Sequence, residues 1–189
     1  MKRLFALVLV LCSAAAAQTP LSGAGTWELS PWVGGGLGLG KSSDIHFRSV
    51  GLRIGTVLTP QLGSGRFRGN LQWAADLIPV YLVSQPNLVY GGSFNPVVLQ
   101  WNFTAGRRIV PFVAAEAGVL FTTTEVPPGD TSRVNFTPTL ASGVYLVRHR
   151  KQAIALSVHL THISSANLGN KNPGINSSLQ FRVGYCWFK

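Results

Sequence analysis

Charge is the scarcest commodity in this chain: Asp, Glu, Lys and Arg make up 12% of its 189 residues, and only six of them are acidic. Soluble domains ordinarily carry about twice that share, so a conventional solvated surface is not what this sequence builds. Cysteine is nearly absent. Of the two, Cys12 lies in an opening segment with the features of an export leader: Lys2 and Arg3, an apolar run over 4–11, then the small residues Ala14 to Ala17. We expect residues 1–17 to be a signal peptide and 18–189 a single domain, about 170 residues being ordinary for one. Leu11 is too bulky for a lipoprotein cleavage box at Cys12. Cys186 is then alone, which excludes an intramolecular disulfide and leaves a small apolar residue.

Long hydrophobic runs are missing too. The stretch over 4–11 is too short to cross a bilayer as a helix, and no later segment is longer and equally apolar. Metal-binding patterns are absent, since none of the four histidines sits beside a carboxylate or thiol cluster, and no cofactor motif is present. Gly34-Gly35-Gly36 falls inside a strand pattern, where close packing in a narrow barrel explains it better than phosphate binding. The formal charge is +10, or +8 once Lys2 and Arg3 are removed. An exported chain rarely meets nucleic acid, and its cations are scattered, so an anionic membrane surface is the expected partner.

What is abundant is alternation. Hydrophobic residues are 46% of the chain, and they recur with period two, the signature of half-buried strands. Eight such segments are expected, at about 26–39, 45–58, 66–81, 93–105, 109–122, 136–147, 154–165 and 177–188. In the third, Phe67, Leu71, Trp73, Leu77 and Tyr81 oppose Arg68, Asn70, Gln72 and Asp76. In the eighth, Leu179, Phe181, Val183, Tyr185 and Trp187 oppose Gln180, Arg182 and Gly184. Connections at 60–65, 106–108 and 148–152 are short, while 82–92, 123–135 and 166–176 are longer. An apolar exported chain without membrane helices, with an even number of alternating strands, is expected to be all-β, an eight-stranded antiparallel up-and-down transmembrane β-barrel of the bacterial outer membrane. Trp27, Tyr81, Tyr145, Tyr185 and Trp187 would suit its interfacial girdles. Arg53, Arg66, Arg68 and Arg182 would face inward and form a structural network with Glu28, Asp76 and Glu116. A soluble lipocalin-type barrel is the competing fold.

The seventh segment changes chemistry along one face. Ile154, Leu156, Val158 and Leu160 form its outward row, which His162 and Ser164 continue. Two residues of strand separate Cα atoms by roughly 6.5–7 Å, so a base and a hydroxyl stand within reach of each other on a wall that touches lipid. His159, on the opposite parity, is expected in the lumen. The chain then turns through Asn167, Gly169 and Asn172-Pro173-Gly174.

His162-Ile163-Ser164 followed by Asn172-Pro173-Gly174-Ile175-Asn176, with Asn135-Phe136-Thr137-Pro138 upstream, resembles the outer-membrane lipid A 3-O-deacylases of PagL type, also called acyloxyacyl hydrolases. The resemblance implies a serine esterase that removes the 3-O-linked acyl chain of lipid A in the outer leaflet, with Ser164 as nucleophile and His162 as general base. The family carries a Glu fourteen positions after the histidine; here that position is Asn176, whose amide would hold the imidazole but cannot balance an imidazolium. Ser165 stands where the family has Asn, and Asn167 would take its polar role. Backbone N–H groups from Ser165 through Asn167 to Gly169 are candidate oxyanion donors. Expected partners are lipid A or lipopolysaccharide, outer-membrane lipids and the barrel assembly machinery, which reads a terminal aromatic pattern such as the one ending at Trp187; a homodimer is an assembly open to it. The alternative is a non-catalytic barrel of structural or adhesive role, or a family member inactivated by loss of the carboxylate.

Overall fold

The structure, a computed structural model, describes residues 20–21, 23–106, 108–129 and 131–189, with the backbone alone at Asn176; the expected leader over 1–17 lies outside the described residues. Nine strand segments follow one another: β1 (Trp27–Gly38), β2 (His46–Val57), β3 (Gly69–Ser84), β4 (Leu88–Phe103), β5 (Ile109–Thr122), β6 (Val134–Phe136), β7 (Thr139–His149), β8 (Gln152–Ile163) and β9 (Ile175–Phe188). Every pairing is antiparallel between chain neighbours, and β1 closes the sheet against β9. β6 and β7 are one barrel strand. Both pair with β5 in a single register, Val119 opposite Phe136 and Glu116 opposite Thr139, and the interruption falls at Pro138, which has no N–H for the ladder. The protein is therefore a closed eight-stranded antiparallel barrel.

The alternation sorts as expected. Leu29, Val33, Val50, Ile54, Leu99, Leu140, Leu160, Phe181 and Val183 are exposed on the outer wall, and Glu28, Arg53, Gln72, Asp76, Gln100, Glu116 and Arg182 are buried inside. The lumen is filled in three layers. An apolar cluster that includes Phe47, Ile78, Tyr81, Leu120, Ile163 and Ile175 closes one end, and another with Val110, Phe112, Tyr145 and Phe188 closes the other. Between them Arg53 grips Asp76 through Nε (2.7 Å) and Nη2 (2.9 Å) and reaches Glu116 (3.0 Å), while Arg182 meets Asp76 at 3.0 Å. Two cations against two carboxylates, each held by charge-assisted bonds, is the arrangement a buried ion cluster needs to offset desolvation. The glycine run has the packing role inferred for it: a Cβ on Gly36 would overlap the backbone of Leu179 and Gln180.

Four expectations need correction. Tyr81 faces the lumen, because the β3–β4 register shifts between Ile78 and Tyr81 and the inserted residue reverses the parity that put it outside. Tyr145 is inside as well, its hydroxyl donating to Glu28 at 3.1 Å, so neither tyrosine belongs to an outer girdle; Trp27, Tyr185 and Trp187 do lie on the outer wall. Arg66 and Arg68 are exposed in the β2–β3 connection, where Gly65–Phe67 makes a 3-10 turn and the strand begins only at Gly69. The supposed loop 82–92 is mostly strand: β3 and β4 run on to Ser84 and Leu88, leaving a tight turn.

Candidate active site at the end of β8

β8 rises from the end of the barrel that holds the C-terminus, and the site forms at its far end, where the strand leaves the sheet. Ile154, Leu156, Val158 and Leu160 are on its outer face, and His162 continues that row, bordering an outer-wall hollow of about 360 Å³ with Pro138, Leu140, Leu160 and Ser177. Its backbone N–H donates to Pro138 O at 3.0 Å, so the proline that breaks the neighbouring strand still accepts a ladder bond here. Ser164 pairs with the exposed Phe136 through two backbone bonds, Phe136 N to Ser164 O at 2.8 Å and Ser164 N to Phe136 O at 3.1 Å. Histidine and serine thus stand on the outer wall, on the same side, at the strand's last two outward positions.

The alternate residues anchor this end. Ile163 and Ile175 are fully buried opposite each other and belong to the apolar plug beneath, so the loop over 164–174 is pinned at both roots. Ser165 is buried as well. Immediately after it, Ala166 (φ 49°) and Asn167 (φ 65°) are left-handed, the only described non-glycine residues with positive φ. Two such residues in succession cost on the order of 1–3 kcal/mol each and persist where the surroundings impose them. A Cβ on Gly169 would overlap the Thr131 carbonyl, so the loop presses on the connection before β6 at that point.

A residue noted in the sequence only as part of the Asn172-Pro173-Gly174 turn organises the loop. The side-chain oxygen of Asn172 accepts from Ser164 Oγ (3.1 Å), Ser165 N (3.2 Å) and Ser165 Oγ (3.0 Å), and Ala166 N–H donates to Ser164 Oγ at 3.3 Å. Ser164 therefore directs its hydroxyl to Asn172 rather than to His162. One amide oxygen collects three donors, two of them hydroxyls, while the Ala166 N–H goes to Ser164 Oγ next to it. Asn172 lay in the noted NPG turn, but only the folded loop reveals which way its amide points. Asn167 and Gly169 make no described hydrogen bond to Ser164, and the side chain of Asn176 lies outside the described residues; its backbone follows Ile175, which opens β9 opposite Ile163. Among the described residues no group of three or more His, Cys, Asp or Glu could hold a metal ion.

The family model for lipid A 3-O-deacylase (PagL) matches residues 50–186. Among solved structures the chain is similar to the outer-membrane enzyme PagL, at 20% identity and a TM-score of 0.53, over 85% of this chain and 98% of that one. It is similar also to the N-terminal β-barrel domain of Pseudomonas aeruginosa OprF (12% identity, TM-score 0.59, 88% and 99% covered) and to Neisserial surface protein A (13%, 0.59, 87% and 98%). No curated protein sequence matches it.

Proposed function

The chain belongs to the lipid A 3-O-deacylase (PagL) family, and from that premise we propose that it spans the bacterial outer membrane and hydrolyses the 3-O-linked acyl ester of lipid A with Ser164 as nucleophile. The observation that carries this reading is placement: His162 and Ser164 are adjacent outward positions on a wall whose other residues are apolar. A water-soluble substrate has no reason to visit such a wall, whereas the ester-linked chains of a lipid lie along it. The likeness to outer-membrane barrels, and the outward row of β9 ending at Trp187, support insertion by the barrel assembly machinery.

In the proposed reaction Ser164 Oγ turns about χ1 from Asn172 to His162, exchanging one hydrogen bond of modest net worth for another. His162 takes the hydroxyl proton as Oγ attacks the ester carbonyl. The alkoxide of the sugar leaves with that proton, and water, activated by the same imidazole, releases the hydroxyacyl chain. The carbonyl oxygen becomes an oxyanion. Asn172 Oδ1 marks where it would sit, because that oxygen already receives the Ser165 N–H, which would be the oxyanion donor. Asn176 serves as the group that steadies the His162 ring.

The test is the acylation of lipid A, read by mass spectrometry from cells expressing the wild type or Ser164→Ala. We expect loss of one 3-O-linked hydroxyacyl group with the wild type and none with the variant, a fall in rate of roughly 10³-fold or more. Equal acylation in both, with both barrels folded, overturns the reading and leaves a non-catalytic barrel.

A further inference from the structure

The two rims of the barrel differ in charge. At the end holding the C-terminus, three consecutive connections carry Arg66 and Arg68, then Arg108, then Arg148, Arg150 and Lys151, all exposed. Backbone bonds join them into one arc: Thr104 N donates to Arg68 O at 2.9 Å, and Val147 N donates to Arg108 O at 2.8 Å. No described carboxylate side chain faces this arc. Of the described acids, Glu28, Asp76 and Glu116 are buried in the lumen, while Asp44 and Glu125 fall in connections of the opposite end. The opposite rim is mixed, Lys41, Arg48, Arg133 and Lys171 being interspersed with those acids.

Beside the arc the wall is apolar and aromatic. Ile109, Tyr185 and Trp187 are exposed on it, the last two rings meeting edge to face at 4.7 Å. Phe67, between Arg66 and Arg68, is 77% exposed, the most exposed of the large hydrophobic side chains. An aromatic ring flanked by two guanidinium groups, next to an apolar belt, is chemistry for an interface: the ring enters the acyl boundary and the cations remain at phosphate level.

We propose that this rim is a binding collar for the headgroups of anionic phospholipids, several of which it holds at once along the leaflet nearer the C-terminus. The proposal rests on the barrel spanning a bilayer and is independent of the esterase reading. Arginine, five of the six collar cations, suits phosphodiesters because its planar fork can donate to two oxygens together. Attraction of this kind is worth about fivefold in lipid preference for each cation near the surface.

Full-length protein placed in nanodiscs of equal parts phosphatidylglycerol and phosphatidylcholine, then released in a native mass spectrometer, would report which lipids stay bound. The wild type should retain phosphatidylglycerol preferentially. Arg148→Gln/Arg150→Gln/Lys151→Gln and, separately, Arg66→Gln/Arg68→Gln should lower that preference by about fivefold per charge removed, while Lys41→Gln/Arg133→Gln/Lys171→Gln at the other rim leaves it in place. The substituted side chains are in connections or, for Arg148, at the end of β7, and heat-modifiable gel mobility verifies each barrel. A wild type that inserts without lipid preference, or an equal loss from the opposite-rim variant, overturns the collar. Failure of the folded wild type to insert at all overturns the membrane-spanning reading instead.

Discussion

β8 and the residue just past its end carry two serine–histidine pairs on opposite faces, their histidines three positions apart, and they differ in an instructive way. The inner pair has the closer serine–histidine contact, with a carboxylate nearby. Ser157 Oγ lies 2.8 Å from His159 Nε2, while His159 Nδ1 lies 3.5 Å from Glu116 Oε1 without a hydrogen bond between them. Yet this group is enclosed in the barrel, its glutamate already gripped by Arg53 at 3.0 Å, with a cavity beside it that admits little more than water. The outer pair has the poorer resting geometry: Ser164 points at Asn172, and an amide stands where the family has an acid. It is nevertheless the pair that a lipid ester can reach. Access, rather than the nearness of three residue types to one another, separates a site from a structural network.

That comparison can be broken at either pair. Glu116→Ala should have the largest effect on the fold, since it leaves Arg53 and Arg182 to share Asp76 alone and takes from His159 its carboxylate neighbour in the lumen. We expect a loss of about 3–5 kcal/mol, measured by urea unfolding in vesicles, and a stability equal to wild type would mean the inner group is not a structural unit. Asn176→Glu gives the outer pair what the inner pair has. A carboxylate that balances the imidazolium should raise deacylation on the order of 10²-fold, with unfolding unchanged; an unaltered rate would show that the amide position does not act on His162. The smallest effect belongs to Ser157→Ala, which removes one hydrogen bond to His159. About 1 kcal/mol of stability should go and the deacylation rate should stay within roughly twofold of wild type. A large fall in activity there would move the chemistry from the wall to the lumen.

Much of this could be read from residue order. Period-two alternation put Glu28, Arg53, Asp76, Glu116 and Arg182 in the lumen and the leucine, valine and phenylalanine rows outside, and it placed His162 and Ser164 in the outward row of β8. Parity failed where the count itself changes. The bulge after Ile78 carried Tyr81 into the lumen, where its hydroxyl accepts from Gln180 Nε2 at 3.0 Å. Its phenol finds a partner there, as does that of Tyr145, and a buried hydroxyl is stable only when satisfied. Arg66 and Arg68 were misplaced because the turn expected over 60–65 runs on through the 3-10 turn Gly65–Phe67, so that the strand expected from 66 begins only at Gly69.

Residue order by itself determined the barrel, its even strand number and the face on which the histidine and serine stand, because a strand's side-chain direction depends only on local parity. Tertiary structure alone decided that Glu116 meets His159 from a strand 43 positions earlier, that β6 and β7 share one register across Pro138, and that Asn172 faces Ser164 and Ser165. Those contacts join residues far apart in the chain or fix the direction of one side chain within a loop. Sheet closure and backbone curvature set them, and no periodicity encodes either.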